Sequence, residues 1–151
     1  MTPEEQASIR RTAAVMEQCR DEFGRHFYCR LFELHPSARE LLPEDLQAQG
    51  GRLVDEIVFM AAVTGDMPAF VERARDLGRR HRSYGVVADD YPHVGEAMRD
   101  AIANILGDAW TVNDAEAWRR FYLLIADTML EGAACELFTP PGPAPATDPT
   151  G

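Results

Sequence analysis

The stretch Leu77-Gly78-Arg79-Arg80-His81-Arg82-Ser83-Tyr84-Gly85-Val86 closes a run in which Met67, Phe70, Val71, Ala74, Leu77 and His81 recur three and four residues apart, the spacing of one helical face. Asp66 and Pro68 open that helix and Gly85 ends it. The stripe is apolar up to its last member, a histidine. Gly78 removes the side chain that would crowd a flat object laid against this face. A lone histidine in such a place is most often a core residue bonded to a backbone carbonyl. The second reading is a ligand offered to a planar cofactor, and the neighbours of His81 separate the two.

Helical spacing continues in both directions. Thr2, Pro3 and Glu5 form a helix start, and that first helix runs to about Cys19. A second carries Phe23, Phe27, Tyr28, Leu31 and Phe32 and stops at His35-Pro36, because the residue before a proline disfavours helical angles. A short turn of helix, Pro36 to Leu42, follows. Pro43, Glu44 and Asp45 open a helix with Leu46, Leu53, Ile57, Met60 and Ala61 on one face and Gln49 and Gly50 between them, which breaks near Gly65. Asp89, Asp90 and Pro92 start another with Val94, Ala97, Met98, Ala101, Ile102 and Ile105, closed by Gly107. Thr111 or Asn113 caps the last, which holds Trp118, Phe121, Tyr122, Ile125 and Met129. No run alternates strictly enough for a strand, so the class is all-α. Residues 139–151 are too rich in proline and glycine to pack, and a disordered tail is expected there.

The 151 residues suit one domain. Lys and Arg total 15 against 25 Asp and Glu, a net charge of −10 that repels nucleic acid and anionic lipid. No apolar run approaches the ~20 residues of a membrane span, and Met1 to Arg11 holds Glu4, Glu5, Arg10 and Arg11 where a signal peptide would be apolar. A cytoplasmic location is expected. Cys19, Cys29 and Cys135 are scattered and lack zinc-ligand spacing, which points to reduced thiols that serve packing. His26, His35 and His93 have ordinary surroundings for helix flanks and starts.

The run from Leu77 to Val86, followed by Tyr91-Pro92-His93-Val94-Gly95-Glu96, resembles the stretch around the proximal haem ligand of globins. It looks most like neuroglobin and the bacterial flavohaemoglobins. The order and lengths of the helices from about residue 3 to 137 fit the globin plan as well. The resemblance implies a three-on-three helical sandwich of about seven helices, with a globin domain over 1–138. It implies haem b with His81 as axial ligand to the iron, Val86 in contact with the porphyrin from the turn that follows, and Leu77, Tyr91 and Val94 among the residues that bind the cofactor. Phe27-Tyr28-Cys29-Arg30-Leu31-Phe32-Glu33-Leu34-His35-Pro36 is similar to the second helix of bacterial haemoglobins, which gives Tyr28 the distal tyrosine position. Gln49-Gly50-Gly51-Arg52-Leu53 resembles their distal-helix motif, at a spacing of 81 − 49 = 32 residues from His81. Gln49 then takes the distal position and Leu53 roofs the pocket. A register shifted by two would aim Asp55 into the pocket, where an unpaired charge is costly. Arg52, Arg79 and Arg82 are candidates to pair with haem propionates.

Two departures from the family pattern matter. Leu42 stands where globins carry a phenylalanine against the haem, which keeps the contact apolar but loses a flat ring. Flavohaemoglobins make the proximal histidine more electron-donating through a hydrogen-bonded tyrosine and a glutamate of the last helix. Tyr91 matches that tyrosine, but the glutamate position falls on Ala133, with Glu131 two residues away and pointing elsewhere. Tyr28 and Gln49 both donate hydrogen bonds, which suits a small ligand that carries partial negative charge. The ordinary readings are a buried tyrosine and a solvated glutamine. The resemblance implies reversible binding of oxygen, nitric oxide or carbon monoxide at a five-coordinate iron, with roles such as oxygen transport. The alternatives are a nitric oxide dioxygenase served by a separate reductase and a haem-loose sensor or interaction module.

Overall fold

A computed structural model describes residues 1–137. Thr2 opens α1 (Pro3–Gln18) with a reciprocal cap: its hydroxyl accepts from the Glu5 N–H at 3.1 Å, and its own N–H donates to the Glu5 carboxylate at 2.9 Å. α2 (Arg20–Leu34) stops before Pro36, and a 3₁₀ helix, Pro36–Leu41, turns the corner. Asp45 and Asp66 start α3 (Leu46–Ala62) and α4 (Met67–Ser83) in the same way, each accepting from the N–H three residues on, at 3.0 and 3.2 Å. α5 (Tyr91–Leu106) follows a 3₁₀ turn at Ala88–Asp90, and α6 (Val112–Leu137) follows Gly107. Thr111, not Asn113, caps α6: its hydroxyl accepts from the Asp114 N–H at 3.0 Å, and the Asp114 carboxylate accepts from the Thr111 N–H at 3.1 Å. With the 3₁₀ helix Pro36–Leu41 these make seven helices, and the described residues contain no strand. The tail expected from residue 139 lies outside the described residues. No helix among them is long and apolar enough to cross a membrane.

The helices form a three-on-three sandwich. α2 packs along α3 and α5, α1 crosses α3 and α6, and α4 lies on α6. Trp118, Phe23, Phe70, Phe121, Ile9 and Met16 are fully buried between the layers. The one polar atom of Trp118 is satisfied there, since its Nε1–H donates to the Thr12 hydroxyl at 2.6 Å.

Glycines face the neighbouring helix at two crossings, and at one of them the backbones are unusually close. α2 and α3 meet at Gly24 and Gly50, where a Cβ on Gly50 would lie 3.6 Å from the Gly24 Cα and 3.5 Å from the Tyr28 ring. α4 and α6 meet more closely still: a Cβ on Gly78 would sit 1.8 Å from the Met129 carbonyl oxygen, and one on Gly132 would sit 2.3 Å from that of Arg75. Only glycine allows this approach. Gly78 therefore makes room for the backbone of α6, not for a flat ligand as its place in the stripe suggested. Among the described residues α6 is the only element that the α4 backbone packs against extensively. Toward α3 the link is made by side chains: Arg73 gives Glu56 two hydrogen bonds, at 2.5 and 2.7 Å, and lies 5.5 Å from the centre of the Phe59 ring. α3 and α4, consecutive in the chain, are thus held at side-chain distance.

Candidate functional site

His81 occupies the last turn of α4 and is half-buried. Its Nδ1 is 2.7 Å from the Leu77 carbonyl oxygen, one turn back. A carbonyl only accepts, so Nδ1 carries the hydrogen and the ring's lone pair is on Nε2. Nε2 has no hydrogen-bond partner among the described residues, and no buried side-chain nitrogen or oxygen there is left unpaired, so Nε2 faces accessible space. Burial pushes the imidazole below its ordinary 6.5; the Leu77 carbonyl opposes this, the Arg80 charge adds to it and Glu56 opposes it. The ring is neutral at pH 7. The carbonyl-bonded histidine and the ligand histidine are here one residue, with one nitrogen for each role.

Helix α4 ends by a pair of bonds that aim the next residue. The Val86 N–H reaches back to the His81 carbonyl at 3.1 Å and the Gly85 N–H to that of Arg82 at 3.0 Å, with Gly85 at φ +95°. Val86 is half-buried against the core just beyond His81. The loop is then pinned from outside the stripe. Asp90, buried, accepts from the Val87 N–H at 2.8 Å and lies 2.7 Å from His35 Nε2, and the His35 ring stacks on His93 at 4.6 Å. This cluster joins residues 35, 90 and 93, and no spacing in the sequence connects them.

The crossing of α2 and α3 holds the other candidates. Tyr28 is buried, with the edge of Phe27 at 5.0 Å and Phe32 stacked at 6.1 Å, and its hydroxyl makes no hydrogen bond among the described residues. Burial pushes the phenol up to about 12, against the pull of the Arg52 charge, so it keeps its proton. Gln49 is half-buried; its Oε1 accepts from Arg52 Nη2 at 2.9 Å and Nε at 3.3 Å, and its amide hydrogens have no partner among the described residues. Leu42, at the end of the 3₁₀ helix, together with Leu53 on α3 and Val94 on α5, is half-buried against the core, and Leu77 is buried.

Tyr91 is buried and its carbonyl accepts from the Tyr122 hydroxyl at 2.6 Å, but it makes no bond to His81, because the Leu77 carbonyl already takes Nδ1. Arg79 is two residues from His81, about 200° round the helix. It is exposed, 3.7 Å from Asp76, and lines a shallow outer groove with Met67, Pro68, Val71, Glu72 and Arg75. Arg52 spends its guanidinium on Gln49. Arg82 is exposed and makes no ion pair among the described residues. Glu131 is exposed, 3.5 Å from Arg75, and so serves the outer side of α4.

No group of three or more His, Cys, Asp or Glu side chains among the described residues is arranged to hold a metal ion. A metal at His81 would therefore arrive with ligands of its own. The donor set suits a haem: a neutral imidazole with a free lone pair, apolar side chains at Leu42, Leu53, Leu77, Val86 and Val94, and two unpartnered donors at Tyr28 and Gln49.

A helical sandwich of this topology, with such a histidine closing the helix that lies on the last one, has the architecture of a globin. The globin family model matches residues 25–129, and the chain belongs to that family. It is 30% identical over 125 residues to the flavohaemoprotein of Bacillus subtilis, covering 81% of this chain and 31% of that protein. To the flavohaemoprotein of Rhizobium meliloti it is 31% identical over 133 residues, 86% of this chain and 33% of the relative. The chain thus spans about a third of the length of these relatives. Among solved structures, a hexacoordinated haem protein from an anhydrobiotic tardigrade aligns with a TM-score of 0.80 at 14% identity, covering 89% of this chain and 96% of the other. An engineered carbene transferase from Rhodothermus marinus, itself a candidate nitric oxide dioxygenase, aligns at 0.79 with 24% identity over 91% and 96%. Both likenesses are of fold.

Proposed function

We propose that this chain binds haem b through His81 Nε2 and reversibly binds small diatomic ligands. The observation that carries the reading is the divided imidazole: Nδ1 is held by the Leu77 carbonyl at 2.7 Å while Nε2 is unpartnered among the described residues, on a globin fold. Bound haem supplies an iron at which oxygen, nitric oxide or carbon monoxide coordinates. The protein's part is orientation and polarity. The Leu77 carbonyl fixes the ring's tautomer and direction. Val86, Leu42 and Leu53 exclude water with their apolar side chains. The Tyr28 hydroxyl and the Gln49 amide hydrogens supply donors to the partially negative ligand, which strengthens its hold where water is kept out. Neither a tyrosine kept neutral by burial nor a carboxamide is a strong ligand, so neither would compete with a gas for the iron. The free thiols Cys19 and Cys29 accord with a cytoplasmic setting.

A second reading has one observation in its favour. The flavohaemoproteins are similar to this chain over about a third of their length, which makes nitric oxide dioxygenation with electrons from a separate reductase the enzymatic form of the same site. In this form the Tyr28 hydroxyl and the Gln49 amide would be the donors that hold oxygen in the site, and the reductase would return the electron that each turnover takes from the iron.

The deciding experiment is the visible spectrum of protein expressed with haem precursor, recorded ferric, reduced and under carbon monoxide, beside His81→Ala. A five-coordinate reduced spectrum at one haem per chain, shifted by carbon monoxide and altered in His81→Ala, is the expected result. A folded, colourless protein overturns the proposal. Catalytic loss of nitric oxide in air with an added reductase selects the second reading.

A further inference from the structure

The partner of the Gln49 carboxamide is a guanidinium, which has five N–H donors and no acceptor. An amide that meets it must do so with its oxygen. The two hydrogen bonds from Arg52, at 2.9 and 3.3 Å, both end on Gln49 Oε1, so the usual ambiguity between the two ends of a carboxamide is absent here. Both amide hydrogens are left for something else, and among the described residues nothing takes them. We propose that Arg52 is a positioning residue that locks the Gln49 carboxamide oxygen-outward, so that this side chain presents only donors to a ligand opposite His81.

The proposal rests on the gas-binding reading above and adds the polarity of the site to it. A glutamine free to turn over offers a ligand its oxygen part of the time, and that oxygen repels the partially negative end that the site is meant to hold. With Arg52 in place, the repulsive orientation loses two charge-assisted hydrogen bonds. The pair lies at i and i+3 on α3, where side chains are neighbours, so the lock needs no element beyond the helix itself. Arg52 also touches the second donor electrostatically: its charge works against the burial that raises the Tyr28 phenol, which makes that hydroxyl a better donor. Arg52 is exposed, so its replacement leaves the core intact. This employment differs from a propionate clamp, because the guanidinium is committed to Gln49.

Five proteins test it: the parent, Arg52→Ala, Arg52→Lys, Gln49→Leu, and Arg52→Ala made in the Gln49→Leu background. In the haem-free chain, NMR relaxation of the Gln49 side-chain amide is expected to show a restrained group in the parent, a mobile one in Arg52→Ala and partial restraint in Arg52→Lys. In the haem-loaded protein, the infrared stretch of bound carbon monoxide is expected to move in Arg52→Ala toward its position in Gln49→Leu, and oxygen to dissociate about three- to tenfold faster, the loss of one hydrogen bond. Adding Arg52→Ala to Gln49→Leu is expected to move the band no further. The proposal is overturned if the amide is equally restrained without Arg52. It is also overturned if the band shift persists in the Gln49→Leu background, which is a field effect, or if only haem content changes, which is a propionate contact. If no variant takes up haem, the gas-binding reading fails while the amide relaxation still decides what Arg52 does.

Discussion

Tyr28 owes its chemistry to a hydroxyl that the fold leaves unused. Replacing it with phenylalanine removes a donor from the site and no hydrogen bond from the protein, so Tyr28→Phe is expected to melt within about 1 kcal/mol of the parent while the gas dissociates about tenfold faster. Alkaline pH separates the two further. The unfolded phenol ionises near 10 and the folded one is pushed up to about 12, so the folded state binds the extra proton between those values. Stability from this source is complete below pH 10 and is lost as the pH rises through about 12, and Tyr28→Phe flattens that decline in urea titrations. The histidine is legible in the sequence because its spacing from Leu77 and the residues after it are both in the chain. The absence of a Tyr91 bond is not. Whether an imidazole hydrogen goes to a carbonyl four residues back or to a hydroxyl on another helix is decided by a rotamer and by about an ångström of helix placement. The Arg52 bond to Gln49 lies within reach of the sequence, as an i and i+3 pair. A propionate role for the arginine hides it.

At the scale of helices, the caps explain why the boundaries can be read: Asp45, Asp66 and Thr111 start elements where they stand, and Pro36, Gly85 and Gly107 stop them. How the helices cross cannot be read in the same way. Gly78 looks the same in a sequence whether it clears space for a cofactor or for another helix, and its counterpart Gly132 is 132 − 78 = 54 residues away. The structure assigns it to the crossing, and the assignment has a measurable cost. A methyl group at Gly78 would sit 1.8 Å from the Met129 oxygen, which forces α4 off α6, so Gly78→Ala is expected to lower stability by more than about 3 kcal/mol. Gly51, also inside a helix, meets nothing closer than the flexible tip of Arg20 at 3.7 Å. Gly51→Ala is expected to stabilise by about 0.5–1 kcal/mol, since alanine is the better helix former. Thermal melts of the two variants side by side check both signs. The same displacement of α4 would move His81, so haem affinity in Gly78→Ala is expected to fall with stability.

For the molecule as a whole, the net charge of −10 says little about fold, but where its carboxylates are paired says how it meets acid. Asp114 is almost fully buried where α1 meets the start of α6. Burial pushes its carboxyl up, but the Ser8 hydroxyl, the Thr111 N–H and hydroxyl, and the Arg11 charge outweigh this and hold it below its ordinary 3.8. A depressed carboxylate contributes stability above the ordinary value and loses it as the pH falls through the shifted one. Asp114→Asn is expected to cost about 1–3 kcal/mol at pH 7, with the gap from the parent closing below pH 4, measured by urea unfolding at both. Such long-range ties, Asp114 to Ser8 and His35 to Asp90, are what helical periodicity does not encode. They join residues more than fifty positions apart whose types are unremarkable locally. The seating of α4 on α6 has a last consequence, in time. During synthesis the helix that carries His81 emerges before the one that must hold it. Gly132 follows by 132 − 81 = 51 residues, which at about 5–20 residues per second is several seconds of translation. Through that interval the apolar stripe of α4 has no backbone to lie on, so the newborn chain seats the helix that carries His81 last, and its need for protection by chaperones is concentrated in the moments before α6 is made.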